Sequence, residues 1–247
     1  MDSTNRWKSF QTRRDRYERF ATRRFSRGLL EQIQSVLDNI DNPAQALGNL
    51  PQLISLRPLE QAYIDVYTRV GSDFATSAFR EIKSTGVFLT KQTQDEWIEF
   101  MRNFVLTDVG VRKRIVGVSG ETLRRLRGEL QRGIDQGLGI EEISRNIQRS
   151  NVVNVIRARV IARTEIVTAS NKGNHEGAKS TGLQLNKIWI ATPDERTRQT
   201  HWELNETKIG IDERFVVGDY DAQYPGDVSL GPEEAINCRC VIVHEPV

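Results

Sequence analysis

The chain has 247 residues, 38% of them hydrophobic and 28% charged, enough for one or two domains with an apolar core. It has no run of about 18 apolar residues and its arginine-rich N-terminus lacks the apolar segment of a secretory signal, so neither a membrane span nor a membrane partner is expected. Two cysteines exclude a disulfide framework, and the net charge of +2 conceals a split of +6 over residues 1–30, +7 over 112–163 and −7 over 191–247.

Residues 1–30 read as an arginine-rich N-terminal arm. Arg13, Arg14, Arg16, Arg19, Arg23, Arg24 and Arg27 would make a helix basic on most faces, with Trp7, Phe10, Tyr17, Phe20 and Phe25 between them. Guanidinium groups pair with phosphates in bidentate fashion, and aromatic rings stack on bases or pack on protein. The arm is therefore expected to contact nucleic acid or an acidic protein surface; a solvated helical face is the plain alternative.

Residues 31–150 read as a helical region. Leu56, Leu59, Tyr63, Val66, Val70, Phe74 and Ile82 form the clearest helical stripe. A second helix is expected from Gln92 to Val116, burying Trp97, Phe100, Phe104 and Val111. A third is expected to start at Ser119 as N-cap, bury Leu123, Leu126, Leu130 and Ile134, and break at Gly137 and Gly139. A short helix from Ile140 to Gln148 follows, then a long one from Val152 to Lys179 that stops at Gly182.

Beyond Gly182 the pattern becomes strand-like at 187–191, 208–211, 214–217 and 239–243, with a loop over 218–232. The fold class expected is α+β: a mainly helical N-terminal region, then a small C-terminal α+β module over 151–247 with short antiparallel strands and the long helix as its helical layer.

Cys238 and Cys240 are two residues apart, and on a strand such side chains share a face. Zinc favours Cys thiolate and His nitrogen. His201 is the best third ligand, and Asp194, His175 or His244 are candidates for a fourth. The competing reading is two buried cysteines acting as small hydrophobes beside a hydrogen-bonded histidine. Arg163-Thr164-Glu165, inside the long helix, offers either a substrate-binding arginine with a catalytic glutamate, or ion pairs docking helix to sheet. In the second reading Arg163 pairs with an acid of the C-terminal module, and Glu165 with Arg196 or Arg198. The chain has no Gly-x-Ser-x-Gly elbow, glycine-rich phosphate loop or His-Glu-x-x-His.

Taken in order, Ala162-Arg163-Thr164-Glu165, Asn171, Lys187-x-Trp189, Asp194-x-Arg196-Thr197-Arg198-x-x-His201, Phe215, Pro225-Gly226-Asp227 and Glu234-x-x-Asn237-Cys238-Arg239-Cys240 resemble the phage Mu F-like head morphogenesis family over roughly residues 120–245. The resemblance implies a minor head protein of tailed bacteriophages. It would reside in the virion, at the head interior or portal vertex, after assembly in the host cytoplasm. Its partners would be the portal protein, the major capsid protein and double-stranded DNA during packaging.

The resemblance further implies that Arg163, Glu165, Asp194, Arg196, Arg198, His201, Asn237 and Arg239 hold the small domain together, with a metal role for Cys238, Cys240 and His201 and no established catalysis. Some relatives carry toxin domains as C-terminal extensions, and none is expected after Val247. One departure is Asn205-Glu206, where the family often has a glycine. The runner-up is a metal-assisted nuclease or transferase using Arg163, Glu165, Asp194 and His201. A third reading is a free DNA-binding protein acting through residues 1–30.

Overall fold

The computed structural model describes residues 3–40, 42–83, 93–150 and 154–247. It opens with α1 (Ser3–Leu37), followed by α2 (Pro43–Leu53) and α3 (Arg57–Lys83). Asn42 starts α2 by accepting from the amides of Ala44 and Gln45, with Pro43 in the first turn, where its missing N–H costs nothing. In α3 the expected stripe is the buried face, from Leu59 through Tyr63, Val66, Val70 and Phe74 to Ile82.

The next helices divide differently from expectation. Helix α4 (Gln94–Thr107) starts at a Thr93/Glu96 capping box, and α5 runs unbroken over Val109–Asp135. The break falls at Asp108, whose carboxylate accepts from the amides of Gly110 and Val111. Ser119 is no N-cap: it is buried mid-helix, where its hydroxyl accepts from Gln32. The expected starts at Gln92 and Val152 lie outside the described residues.

A short α6 (Ile140–Arg149) leads to α7 (Val155–Lys179), the helix around which the chain is organised. From Thr164 to Ala178 it is buried on nearly every side, because α1 and α3 cover one flank and the C-terminal module another. Small residues allow the close approach. A Cβ on Gly173 would fall 2.1 Å from the carbonyl oxygen of Gly71 in α3, and one on Gly177 2.2 Å from that of Ala75. The two backbones are thus nearly in contact.

After Gly182, which turns the chain at φ +72°, come β1 (Leu185–Ile190), α8 (Gln199–Trp202), β2 (Lys208–Gly210), β3 (Phe215–Val217), β4 (Tyr220–Ala222), α9 (Pro232–Ala235) and β5 (Val241–Pro246). The order β2-β1-β5 forms an antiparallel sheet with Trp189 opposite Ile242, and β3-β4 is a separate hairpin with Phe215 opposite Ala222. The fold is therefore α+β. The stretch expected to be loop contains β4, and the last strand begins at Val241, so Cys238 and Cys240 precede it. Trp189, Phe215, Val217, Ile242 and both cysteines form the core of the module, while Phe25, Leu59, Tyr63, Val70, Met101 and Ala162 belong to the main helical core.

Residues 3–30 lie within α1 and pack as part of this structure. Phe10 and Tyr17 pack against the main helical core, and Ala21, Phe25 and Leu29 are buried in it. Among the described residues no helix is long and apolar enough to cross a membrane.

Candidate metal centre and its polar clamp

His201 is the one polar residue buried in α8, held between two different environments. Its Nδ1 lies 3.6 Å from the Cys238 sulfur and 3.5 Å from the Cys240 sulfur. Its Nε2 lies 2.9 Å from Oε2 of Glu234 in α9. The Thr200 hydroxyl reaches both oxygens of the same carboxylate, at 3.1 and 3.0 Å. The indole of Trp189 meets the imidazole edge-on, with ring centroids 5.3 Å apart. Asn237 turns the chain at φ +58°, and the two sulfurs then converge on one imidazole although neither cysteine is on a strand.

Both cysteines are buried and unpaired by disulfide. A hydrogen bond from Cys238 and the nearby His201 ring hold the Cys240 thiol well below the usual range. Cys238, as donor to that sulfur and itself buried, is pushed up. The three residues form a cluster whose ligand atoms all lie within 4.8 Å of one another. Thiolate, thiolate and imidazole suit a soft-to-borderline divalent ion, zinc above all. Asp194, His175 and His244, the sequence candidates for a fourth ligand, do not join this cluster.

Asp194 instead forms a forked ion pair with Arg239, one arm at 2.8 Å, and accepts from the Arg196 amide at 3.0 Å. Arg239 accordingly holds its carboxyl well below the usual range. The Arg196 side chain is exposed, and its contact to Asp194 is 3.5 Å. Arg198 donates to the carbonyl of Ile236 at 2.6 Å and lies 3.9 Å from Glu234.

Two residues of the long helix sit elsewhere than the ion-pair reading places them. Arg163 pairs with Glu18 of α1 at 3.0 Å, not with the C-terminal module. Glu165 faces away from Arg196 and Arg198. It is buried among Tyr67 (2.6 Å), Tyr63 (3.3 Å) and Arg114 (3.5 Å), because its position on α7 points into the α3–α5 side of the core.

The side of α7 that does meet the module carries a stripe of short polar residues, of which the sequence motifs include Thr164 and Asn171 but not Thr168 or Asn174. The Thr164 hydroxyl accepts from the Asn237 amide at 3.2 Å, and the Thr168 hydroxyl donates to the Gly226 carbonyl at 2.8 Å. Asn171 donates to the carbonyls of Pro225 (2.7 Å) and Cys240 (3.1 Å), and Asn174 to that of Ile242 (2.8 Å). Arg114 of α5 adds bonds to the carbonyls of Gly226 and Asp227. These bonds satisfy buried carbonyls of the 225–227 turn, of Cys240 and of Ile242 on β5, which is why the helix carries amides and hydroxyls where apolar residues would leave orphans. The signal available in sequence was the spacing of 164, 168, 171 and 174, a helical stripe written in polar residues.

The clamp includes an arginine expected to face a partner. Arg14 is 2% exposed, and its guanidinium donates to Ser170 (2.7 Å), Asn171 (2.9 Å) and the carbonyls of Arg239 and Cys240 (both 3.2 Å). It is not available for nucleic acid, because it lies on the buried stripe that runs from Phe10 through Tyr17 to Phe25. Arg13 is also engaged, pairing with Asp73 at 2.8 Å, and Arg24 and Arg27 pair with Asp65 and Glu31. Arg16, Arg19 and Arg23 are exposed on the outer face of α1.

With this geometry in place, comparison with known proteins is informative. Residues 124–243 match the family described as Phage Mu protein F like protein, and the chain carries a domain of that family. Over 134 residues it is 30% identical to the NAD(+)–arginine ADP-ribosyltransferase EFV of Enterococcus faecalis, covering 53% of this chain and 27% of that protein. Over 117 residues it is 29% identical to YqbB of Bacillus subtilis, covering 46% and 38%. The Minor head protein GP7 of Bacillus phage SPP1 is 26% identical over 128 residues, covering 50% and 41%. The matches thus span well under half of each relative's length. No solved structure matches the chain.

Proposed function

We propose that this chain is a minor head protein of a tailed bacteriophage and works there as a structural component rather than as an enzyme. The observation that carries the reading is the family domain over 124–243, whose motif residues use their polar groups on one another and on loop carbonyls. The likeness to the minor head protein of phage SPP1 supports it. The protein assembles into the head in the host cytoplasm and remains in the virion, at the portal vertex or the inner face of the shell. It binds the portal protein and the major capsid protein, and contacts packaged double-stranded DNA. The exposed arginines of α1, Arg16, Arg19 and Arg23, recur every three to four residues and so form one basic stripe suited to an acidic protein surface or to phosphates.

The enzyme reading requires Arg163, Glu165, Asp194 and His201 to converge. Each serves a different partner instead: Glu18, the Tyr63–Tyr67 pair, Arg239 and the cysteine pair. These separate partners favour the structural reading over a nuclease or transferase. What the Enterococcus faecalis relative is named for belongs to a protein of which the match covers 27%.

Binding of the full chain, and of a variant with Arg16, Arg19 and Arg23 replaced by Ala, to isolated portal and to duplex DNA tests the docking. The parent should bind both, and the variant should lose at least about tenfold on DNA, with a log–log salt slope shallower by about 3. Equal binding by both forms would contradict the basic stripe as a docking face.

A further inference from the structure

We infer that the buried cluster behind the clamp is a structural zinc site, with Sγ of Cys238, Sγ of Cys240 and Nδ1 of His201 as ligands and Glu234 as the carboxylate that orients the imidazole. This goes beyond the head-protein reading and does not depend on it.

The first argument is distance. Zinc bound tetrahedrally, with Zn–S near 2.3 Å and Zn–N near 2.0–2.1 Å, sets each sulfur about 3.5 Å from the nitrogen. The observed separations are 3.5 and 3.6 Å. The donors therefore already stand where a common ion would hold them.

The second argument is the tautomer. Oε2 of Glu234 lies 2.9 Å from Nε2, off the line of a hydrogen bond, and a carboxylate that close favours the proton on Nε2, which leaves Nδ1 as the nitrogen facing the two sulfurs. A carboxylate on the far nitrogen of a ligating histidine is the arrangement that fixes ring orientation in metal sites. Glu234 is itself held, by the Thr200 hydroxyl.

The third is the surroundings. Cys238, Cys240 and His201 are all buried, Arg14 bonds the Cys240 carbonyl at 3.2 Å, and the Trp189 ring meets the imidazole edge-on. Among the described residues no fourth His, Cys, Asp or Glu joins the cluster, so the protein supplies three ligands. The Thr192 hydroxyl lies 3.9 Å from the Cys240 sulfur.

The ion would fasten α8 to the turn before β5, two segments 37 residues apart that share no strand pairing. Full-length protein purified without chelator in reducing buffer should contain about one zinc per chain by elemental analysis. Cobalt added to metal-free protein should give the absorption of a tetrahedral thiolate site. Glu234→Gln should keep the fold and weaken metal affinity about 10–100-fold, and Cys238→Ser with Cys240→Ser should abolish the cobalt spectrum. If the serine variants fail to fold, the cobalt titration of the parent and the Glu234→Gln affinity still decide. Failure of the parent to take up zinc or cobalt would overturn the proposal, as would stoichiometric zinc retained by a folded double-serine variant or unchanged affinity in Glu234→Gln.

Discussion

The Arg14 guanidinium donates to Oδ1 of Asn171 at 2.9 Å, across 157 residues of sequence, at a point where the first helix, the central helix and the last strand meet. The same Asn171 oxygen accepts from the Ile242 amide at 3.3 Å, and its amide nitrogen donates to the carbonyls of Pro225 and Cys240. One arginine and one asparagine thus join α1, α7, the 223–227 turn and the start of β5. Burial draws the guanidinium down to about 10, and the nearby cysteine sulfurs oppose that shift.

Arg14→Ala should therefore destabilise the protein by about 2–4 kcal/mol, since it removes the buried guanidinium's bonds to Ser170, Asn171 and the Arg239 and Cys240 carbonyls. Arg14→Lys should recover only part of this, because an ammonium cannot span the fork. Arg19→Ala, on the exposed face, should stay within about 0.5 kcal/mol of the parent. Urea denaturation of the three variants checks this, and an Arg14→Ala midpoint equal to that of the parent would remove the clamp from the account.

Gly173→Ala tests the close crossing of α3 and α7. The added Cβ meets the Gly71 carbonyl oxygen at 2.1 Å, and backbone on both sides has little room to move. The expected loss is about 3 kcal/mol or more, seen as a lower melting temperature. Gly117→Ala, where a Cβ meets nothing within 4 Å, should raise stability slightly through helix propensity.

His175 and His244 face each other with ring centroids 5.8 Å apart. Burial is the largest cause that lowers both; Lys187 adds to it for His244, which falls to about 3, and His244 adds to it for His175. Their folded-state values lie below the unfolded value of about 6.5, so the unfolded chain binds more protons between those limits. Stability should be fully present above pH 6.5 and fall as the pH drops below it, by about 1.4 kcal/mol per pH unit for each histidine still neutral in the fold, which for His244 continues to about pH 3. Denaturation series at pH 7 and 5 on the parent and on His244→Gln measure this. The variant should lose less on acidification, and equal losses would show that other groups set the acid response.

Glu206 occupies φ +64°, in the left-handed region, at the turn before β2. This is the Asn205-Glu206 position where the family often has glycine. Glu206→Gly should leave stability unchanged or raise it by up to about 1 kcal/mol, whereas Glu206→Val should lower it by about 1–2 kcal/mol. Thermal melts of the pair check the assignment; a valine variant as stable as the glycine one would contradict the strained turn.

Much of this was readable in the sequence where periodicity and burial agree. The α3 stripe from Leu59 to Ile82 and the long helix ending at Lys179 are of that kind, since a single apolar face or a long helical run has one reading. Asp108 and Ser119 were harder: both are capping residue types, and only tertiary contact decides that Asp108 caps α5 while Ser119 meets Gln32 in the core. The cysteines drew notice through scarcity, but their convergence on His201 arises from the turn at Asn237 and not from strand alternation. Arg14 was hidden among neighbours of the same type. Its one distinguishing mark is its place on the Phe10–Tyr17–Phe25 stripe. Glu165 is hard to place from sequence because the stretch of α7 from Thr164 to Ala178 is buried on nearly every side, with no outward face to which a charge must belong.

The measurement that bears most directly on the central claim is quantitative mass spectrometry of purified phage particles and head assembly intermediates from a host producing this chain. The account predicts the protein in heads at far fewer copies than the major capsid protein, retained after washing that removes loosely bound host proteins. Its absence from both mature particles and intermediates would contradict it.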